Sequence, residues 1–146
     1  MSYLLDTCIL SKARKKNPTD QKLKAWLNKH PDSSYFISVL TLGVIEAGIS
    51  KIDVKTKEQE KHKVALQEWL RSELIPRFEG RILPISTEVV LAWGKIHGAA
   101  LLKGKPLPLA DGMIAATALH HGLIVVTENT KDFESAKIDL LNPWKV

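Results

Sequence analysis

A chain of 146 residues is long enough to bury a core without disulfides or a structural zinc, and its single cysteine, Cys8, excludes an intramolecular bridge. No run approaches the length needed to cross a bilayer, and MSYLLDTCIL lacks the basic leader and long apolar stretch of a signal peptide, so a cytoplasmic protein without membrane contact is expected. The formal net charge of +5 gathers in Lys12, Arg14, Lys15 and Lys16 and again in Lys51, Lys55, Lys57, Lys61 and Lys63, the second group diluted by Asp53, Glu58 and Glu60. Such clusters suit a polyphosphate substrate or an acidic partner, and equally suit ordinary solvated faces.

In chain order, Tyr3-Leu4-Leu5 is a short apolar strand, and Leu23, Trp26 and Leu27 mark a helix. Tyr35-Phe36-Ile37-Ser38-Val39 has strong strand propensity, with Thr41 just beyond it as a candidate cap for the next helix. Val64, Leu66, Trp69, Leu70 and Leu74 fit a longer helix. Arg81 to Ile85 is a third strand, weakened towards its end by Pro84. Val89, Val90, Trp93, Ile96, Ala100 and Leu101 make another helical stripe, and an alanine-rich helix over Asp111 to His121 is closed by Gly122. Leu123 to Val126, aliphatic throughout, reads as a strand buried on both faces, and Ile138 to Leu141 as an edge strand. This alternation predicts a parallel sheet covered on both sides, and residues 1–146 show no repeat or linker that would divide them.

Ligands of such sheets bind beyond the carboxyl ends of the strands. Asp6 and Thr7 follow the first strand, while Thr127, Glu128 and Asn129 follow the last central one. Asp111 opens the alanine-rich helix, where a carboxylate either caps backbone N–H groups or points into a cleft made close by Gly112 and its small neighbours. Acidic groups brought together there require a cation. Hard oxygen donors suit Mg²⁺, with Mn²⁺ as the alternative, and phosphodiester hydrolysis is the natural reaction class.

The histidines His30, His62, His97, His120 and His121 lack zinc-ligand spacing, and no Walker A or dinucleotide glycine fingerprint is present. Trp26, Trp69 and Trp93 occupy core-like helical positions, and Cys8, without a histidine partner, suits packing better than nucleophilic catalysis.

Four segments carry a resemblance: L-L-D-T at 4–7, F-I-S-V-L-T-L-G-V-I-E-A-G-I at 36–49, P-L-A-D-G-M-I-A-A-T-A-L at 108–119 and L-I-V-V-T-E-N-T-K-D-F at 123–133. In this order they resemble the PIN-domain ribonucleases of the VapC toxin type, and G-R-I-L-P-I at 80–85 with L-N-P-W at 141–144 is similar to the FitB-like branch. The resemblance implies a PIN-like three-layer α/β/α sandwich with a central parallel sheet, formed by a single domain. It also implies a Mg²⁺- or Mn²⁺-dependent endoribonuclease of a type II toxin–antitoxin system. Asp6 and Asp111 match the family's metal-site aspartates. The implied partners are RNA, a cognate VapB-like antitoxin, operator DNA through that antitoxin, and a second copy of the chain in a homodimer or a higher toxin–antitoxin assembly.

Two corners of the pattern depart. The family's glutamate, three residues after the threonine matching Thr41, is replaced by Val44, a residue suited to a buried helix face and unable to bind a metal or accept a proton. Glu46 is two positions on, about 200° around a helix, and inherits the role only through a local distortion. The favoured reading is impaired metal binding with the fold retained; a weakened toxin, an inactivated variant and recruitment of Glu46 all remain open. At the last corner Asn129 suits either a turn or a water-orienting contact, and Asp132 either a helix cap or a water-mediated charge. Asp6, Asp111, Glu46, Asn129 and Asp132 are therefore the candidate catalytic residues. The alternative function is a catalytically weak or inactive PIN-fold interaction protein, with Leu23, Trp26 and Leu27 contributing to an antitoxin groove.

Overall fold

The computed structural model describes residues 1–15 and 17–146. Five strands form one sheet: β1 (Tyr3–Leu5), β2 (Tyr35–Ser38), β3 (Ile82–Leu83), β4 (Ile124–Val126) and β5 (Leu140–Leu141), ordered β3-β2-β1-β4-β5. Every neighbouring pair is parallel, with Tyr3 opposite both Tyr35 and Ile124, and Leu5 opposite Val126.

Because strand side chains alternate, β1 serves two cores. Tyr3 and Leu5 join Ile9, Leu23, Trp26, Ile37, Ile45 and Leu70 on one face, whereas Leu4 joins Val89, Ile96, Ile114, Ala115, Val125 and Phe133 on the other. The first core is supplied by α1 (Thr7–Arg14), α2 (Gln21–Asn28), α3 (Val39–Ser50) and the continuous helical run from α4 (Lys57–Glu68) to α5 (Ile75–Arg77); the second by α6 (Thr87–Leu102) and α7 (Leu109–His121). The result is an α/β/α sandwich about a central parallel sheet.

Several boundaries differ from the expectation. β2 stops at Ser38 because its hydroxyl accepts the Leu40 N–H at 3.1 Å and caps α3. Thr41 is therefore not the cap; it lies inside the helix, fully buried. β3 shrinks to two residues ahead of Pro84, which has no N–H for a ladder. β5 is Leu140–Leu141, shorter than the Ile138 to Leu141 run. The long helix expected around Val64 to Leu74 is present and widens into a π-helical stretch, Trp69–Leu74, between α4 and α5. α1 lacked a recognised sequence signal. Lys16, counted in the first basic cluster, lies outside the described residues.

The order β3-β2-β1-β4-β5 means that the chain leaves β1 towards one edge and later returns to its other side. The switch falls between β1 and β4, where a crevice opens beyond the carboxyl ends. Asp6 and Thr127 are the first residues past those two strands, and Asp6 N–H donates to Val126 O at 3.0 Å.

Candidate active site at the carboxyl edge of the sheet

Asp6 ends β1 and caps α1 in one step, its Oδ1 accepting the Thr7 N–H at 2.8 Å. Its other oxygen, Oδ2, accepts the fully buried Thr127 hydroxyl at 2.8 Å and the Cys8 thiol at 3.7 Å. Thr127 therefore does more than satisfy its own backbone. Its oxygen also accepts the Asn129 N–H at 3.0 Å, so one side chain ties the first carboxylate to the turn after β4. Burial, opposed by a hydrogen bond from the Glu128 backbone and reinforced by the Asp6 charge, pushes the Cys8 thiol up, away from the thiolate a nucleophile requires.

Asp111 arrives from the opposite layer. α7 begins at Leu109, two residues earlier than expected, and has no side-chain cap; Asp111 sits in its first turn and does not perform the capping role. A Cβ on Gly112 would come within 2.8 Å of the Trp93 indole, so the absence of a side chain lets α7 lie against α6 and brings the Asp111 turn to the sheet edge. Trp93 is stacked on His97, with ring centroids 5.0 Å apart.

Asp6 and Asp111 line the same cleft of about 240 Å³, together with Thr41, Val44 and Asn129. Burial, then the charge of Asp6, then that of Asp132, hold the Asp111 carboxyl above its ordinary value. The arrangement is an acidic field short of positive charge.

The remaining candidates divide. Asn129 lines the cleft, through a turn ordered by Thr127. Asp132 lies in the 3₁₀ helix Thr130–Ala136 and borders a neighbouring cleft; it reaches Asp111 through its charge. Glu46 is not brought in. Its carboxylate is held by both arms of the Arg71 guanidinium, at 2.9 and 3.2 Å, which also keeps it below the usual carboxylate range. α3 is regular through this stretch and offers no distortion to turn Glu46 inward. Val44 stands at the third corner, in the cleft, although valine by type suits a buried helix face. It is 42% exposed, not buried, because its helix face looks into the cleft instead of the core.

Among the described residues no group of three or more His, Cys, Asp and Glu side chains gathers that would hold a metal ion. Two carboxylates do not make an all-protein cage. They do suit an ion that keeps several waters and completes its shell on a phosphate, and the raised proton affinity of Asp111 is what a cation there would relieve.

A family profile described as PIN domain matches residues 3–138. The chain belongs to the PIN domain family. Among PIN relatives, it is 33% identical over 141 residues to the toxin FitB of Neisseria gonorrhoeae, covering 97% of each chain. It is 31% identical over 142 residues to the VapC ribonuclease Y4jK of Sinorhizobium fredii, again covering 97% of each. Among solved structures, the crystal structure of FitAcB from Neisseria gonorrhoeae contains a chain that superposes with a TM-score of 0.87 at 32% identity, covering 99% of both chains. FitAB bound to an IR36 DNA fragment gives 0.86 at 31% identity, covering 99% of this chain and 96% of that one. This PIN-domain protein is thus related to the toxin–antitoxin ribonucleases of the VapC and FitB type, a relationship that supports nuclease-toxin function in general terms.

No helix among the described residues is long and apolar enough to cross a membrane.

Proposed function

We propose that this PIN-domain protein is a Mg²⁺- or Mn²⁺-dependent endoribonuclease toxin of a type II toxin–antitoxin system, formed as a single cytoplasmic domain and weakened by Val44. The observation that carries the reading is the shared cleft of Asp6 and Asp111, in which burial and neighbouring negative charge leave Asp111 reluctant to ionise without a cation. Asp6 and Asp111 are the residues to hold the ion, and Asn129 is the side chain available to orient a water or a phosphate oxygen. The bound ion would supply charge neutralisation at the phosphodiester and a polarised water. The chain contributes orientation: Thr7 and Thr127 fix both oxygens of Asp6, and the Gly112–Trp93 contact holds the first turn of α7.

The proposed partners are RNA as substrate, a VapB-like antitoxin, operator DNA through that antitoxin, and a second copy of this chain. The DNA-bound FitAB structure supports the antitoxin and operator assignments by relationship. The test is cleavage of defined RNAs by highly purified protein in Mn²⁺. Cleavage lost in EDTA and in Asp6→Asn is expected; cleavage indifferent to both would reject the metal-dependent reading.

One observation favours a second reading, a PIN-fold interaction protein that binds its antitoxin without cutting. Val44 exposes an aliphatic surface inside the acidic cleft, where it contributes no ligand. Tight antitoxin binding with no cleavage in any divalent ion would select it.

A further inference from the structure

A cleft of about 420 Å³ outside the carboxylate site is basic. Lys103, Lys105, Lys131 and Lys137 line it, against the two carboxylates of Asp132 and Glu134. Among the described residues none of these four lysines forms an ion pair. The basic cluster that is contiguous in sequence behaves differently: Lys12 is paired with Glu128 and lies over the Trp144 ring, and Arg14 lies over Trp69.

Both walls of the basic cleft are formed turns. At the end of α6, Lys105 N–H bonds back to Ala100 O at 2.9 Å and Gly104 N–H to Leu101 O at 3.1 Å, with Gly104 left-handed at φ 67°. This closing turn sends Lys103 and Lys105 out on either side of the glycine. Opposite, Lys137 closes the 3₁₀ helix in a left-handed conformation, φ 53°, and is the only non-glycine with positive φ among the described residues. That conformation lets the Lys137 N–H bond back to Glu134 O at 3.3 Å and close the helix, which fixes the backbone that carries the Lys137 side chain. The Lys137 ammonium beside it holds Lys103 below the ordinary lysine value, a repulsion that a bound anion would relieve.

The two clefts are lined by neighbouring residues of the same turn. Pro108 borders the basic one, while Ala110 and Asp111, just beyond it, border the acidic one. Asp132 lines the basic cleft and its charge is felt at Asp111. We propose that the cleft between the α6–α7 turn and the 3₁₀ helix is a phosphate subsite for single-stranded RNA. It holds a backbone phosphate adjacent to the one presented at Asp6 and Asp111, with Lys103 and Lys137 as its principal contacts. Four lysines beside Pro106 and Pro108, with no aromatic ring in the lining, suit a backbone phosphate better than a base. The proposal rests on the ribonuclease reading for the identity of the strand, but it is tested without metal, and so independently of cleavage.

The experiment measures binding of a short fluorescent single-stranded RNA to the full chain in EDTA, by anisotropy across a salt series. The Lys103→Gln/Lys137→Gln double variant is expected to bind about tenfold more weakly at low salt. The slope of log affinity against log salt should fall by about 0.7, the amount that one lost phosphate contact on a single strand removes. Mn²⁺ binding measured by calorimetry should be unchanged, which separates this result from damage at the carboxylates. Lys103→Arg/Lys137→Arg, which keeps both charges, should restore binding, and Lys51→Gln/Lys55→Gln should have no effect. The proposal is overturned by an unchanged slope in the double variant, by an equal loss in the Lys51/Lys55 control, or by no measurable RNA binding in the parent chain. It is likewise overturned if the double variant loses binding to an acidic peptide while keeping RNA, which would assign the cleft to a protein partner.

Discussion

The Thr127 hydroxyl donates to Asp6 Oδ2 at 2.8 Å and at the same time accepts the Asn129 N–H at 3.0 Å. A single buried side chain thus couples the carboxylate after β1 to the turn after β4, across the point where the sheet changes direction.

Thr127→Val keeps the shape and removes both bonds. A hydrogen bond to a charged group contributes about 1.5–3 kcal/mol, and this one is fully buried. Chemical denaturation should show a loss of that order, and calorimetry a weaker affinity for Mn²⁺. A variant as stable as the parent would mean that Asp6 is held adequately by its bond to the Thr7 N–H.

Asp111 gives a pH signature in metal-free protein. Its folded-state carboxyl is held above the ordinary aspartate value of 3.8, so the folded state binds the proton more tightly than the unfolded chain. The stabilisation is complete below the unfolded value and is lost as pH rises through the folded one. Stability measured in EDTA should therefore gain a downward component as pH rises from about 3.8 towards neutrality. Asp111→Asn should remove that component and leave the protein more stable than the parent at neutral pH. Added Mn²⁺ should raise the melting temperature of the parent and not of the variant.

Gly112→Ala tests how α7 is held. The new methyl would meet the Trp93 indole at 2.8 Å, and Trp93 is stacked on His97, so the ring cannot swing aside freely. Overpacking of this kind costs about 1–3 kcal/mol. The helix that moves to relieve it carries Asp111, so denaturation and Mn²⁺ affinity should weaken together. A loss of stability with Mn²⁺ affinity intact would show that Trp93 yields instead of α7.

What could be read from sequence followed from periodicity and from position at strand ends. Leu123 to Val126 announced a strand buried on both faces, and Asp6, directly after Tyr3-Leu4-Leu5, was bound to emerge at a carboxyl edge. The meeting of Asp6 with Asp111 could not be read in this way, because it depends on strand order and on the tight passage of Gly112 past Trp93. Val44 was placed at the third corner of the site by its register after Thr41, and it does line the cleft; its exposure there was not legible, because an aliphatic side chain on an apolar helix carries no mark of which face looks into a cleft. The four lysines of the second cleft stand at 103, 105, 131 and 137, too dispersed to register as a run, whereas the run at Lys12 and Arg14 turns out to be engaged with Glu128, Trp144 and Trp69.

Glu46 and Val44 together decide how the third corner of the site behaves. Glu46 is clamped by Arg71 on the outer face of α3, so Glu46→Gln should leave Mn²⁺ affinity and RNA cleavage unchanged, and it should barely alter stability because the pair is solvent-exposed. Val44, exposed in the cleft, has room for a longer side chain. Val44→Glu would add a third carboxylate beside Asp6 and Asp111, and without a cation the three would repel one another. The substitution should therefore destabilise the metal-free protein, tighten Mn²⁺ binding by about tenfold, or about 1.4 kcal/mol, and raise the cleavage rate. Calorimetry, melting with and without Mn²⁺, and a cleavage assay read the three effects separately. Equal Mn²⁺ affinity and equal cleavage in the two proteins would mean that Val44 impairs nothing, and that Asp6 and Asp111 suffice for whatever chemistry this site performs.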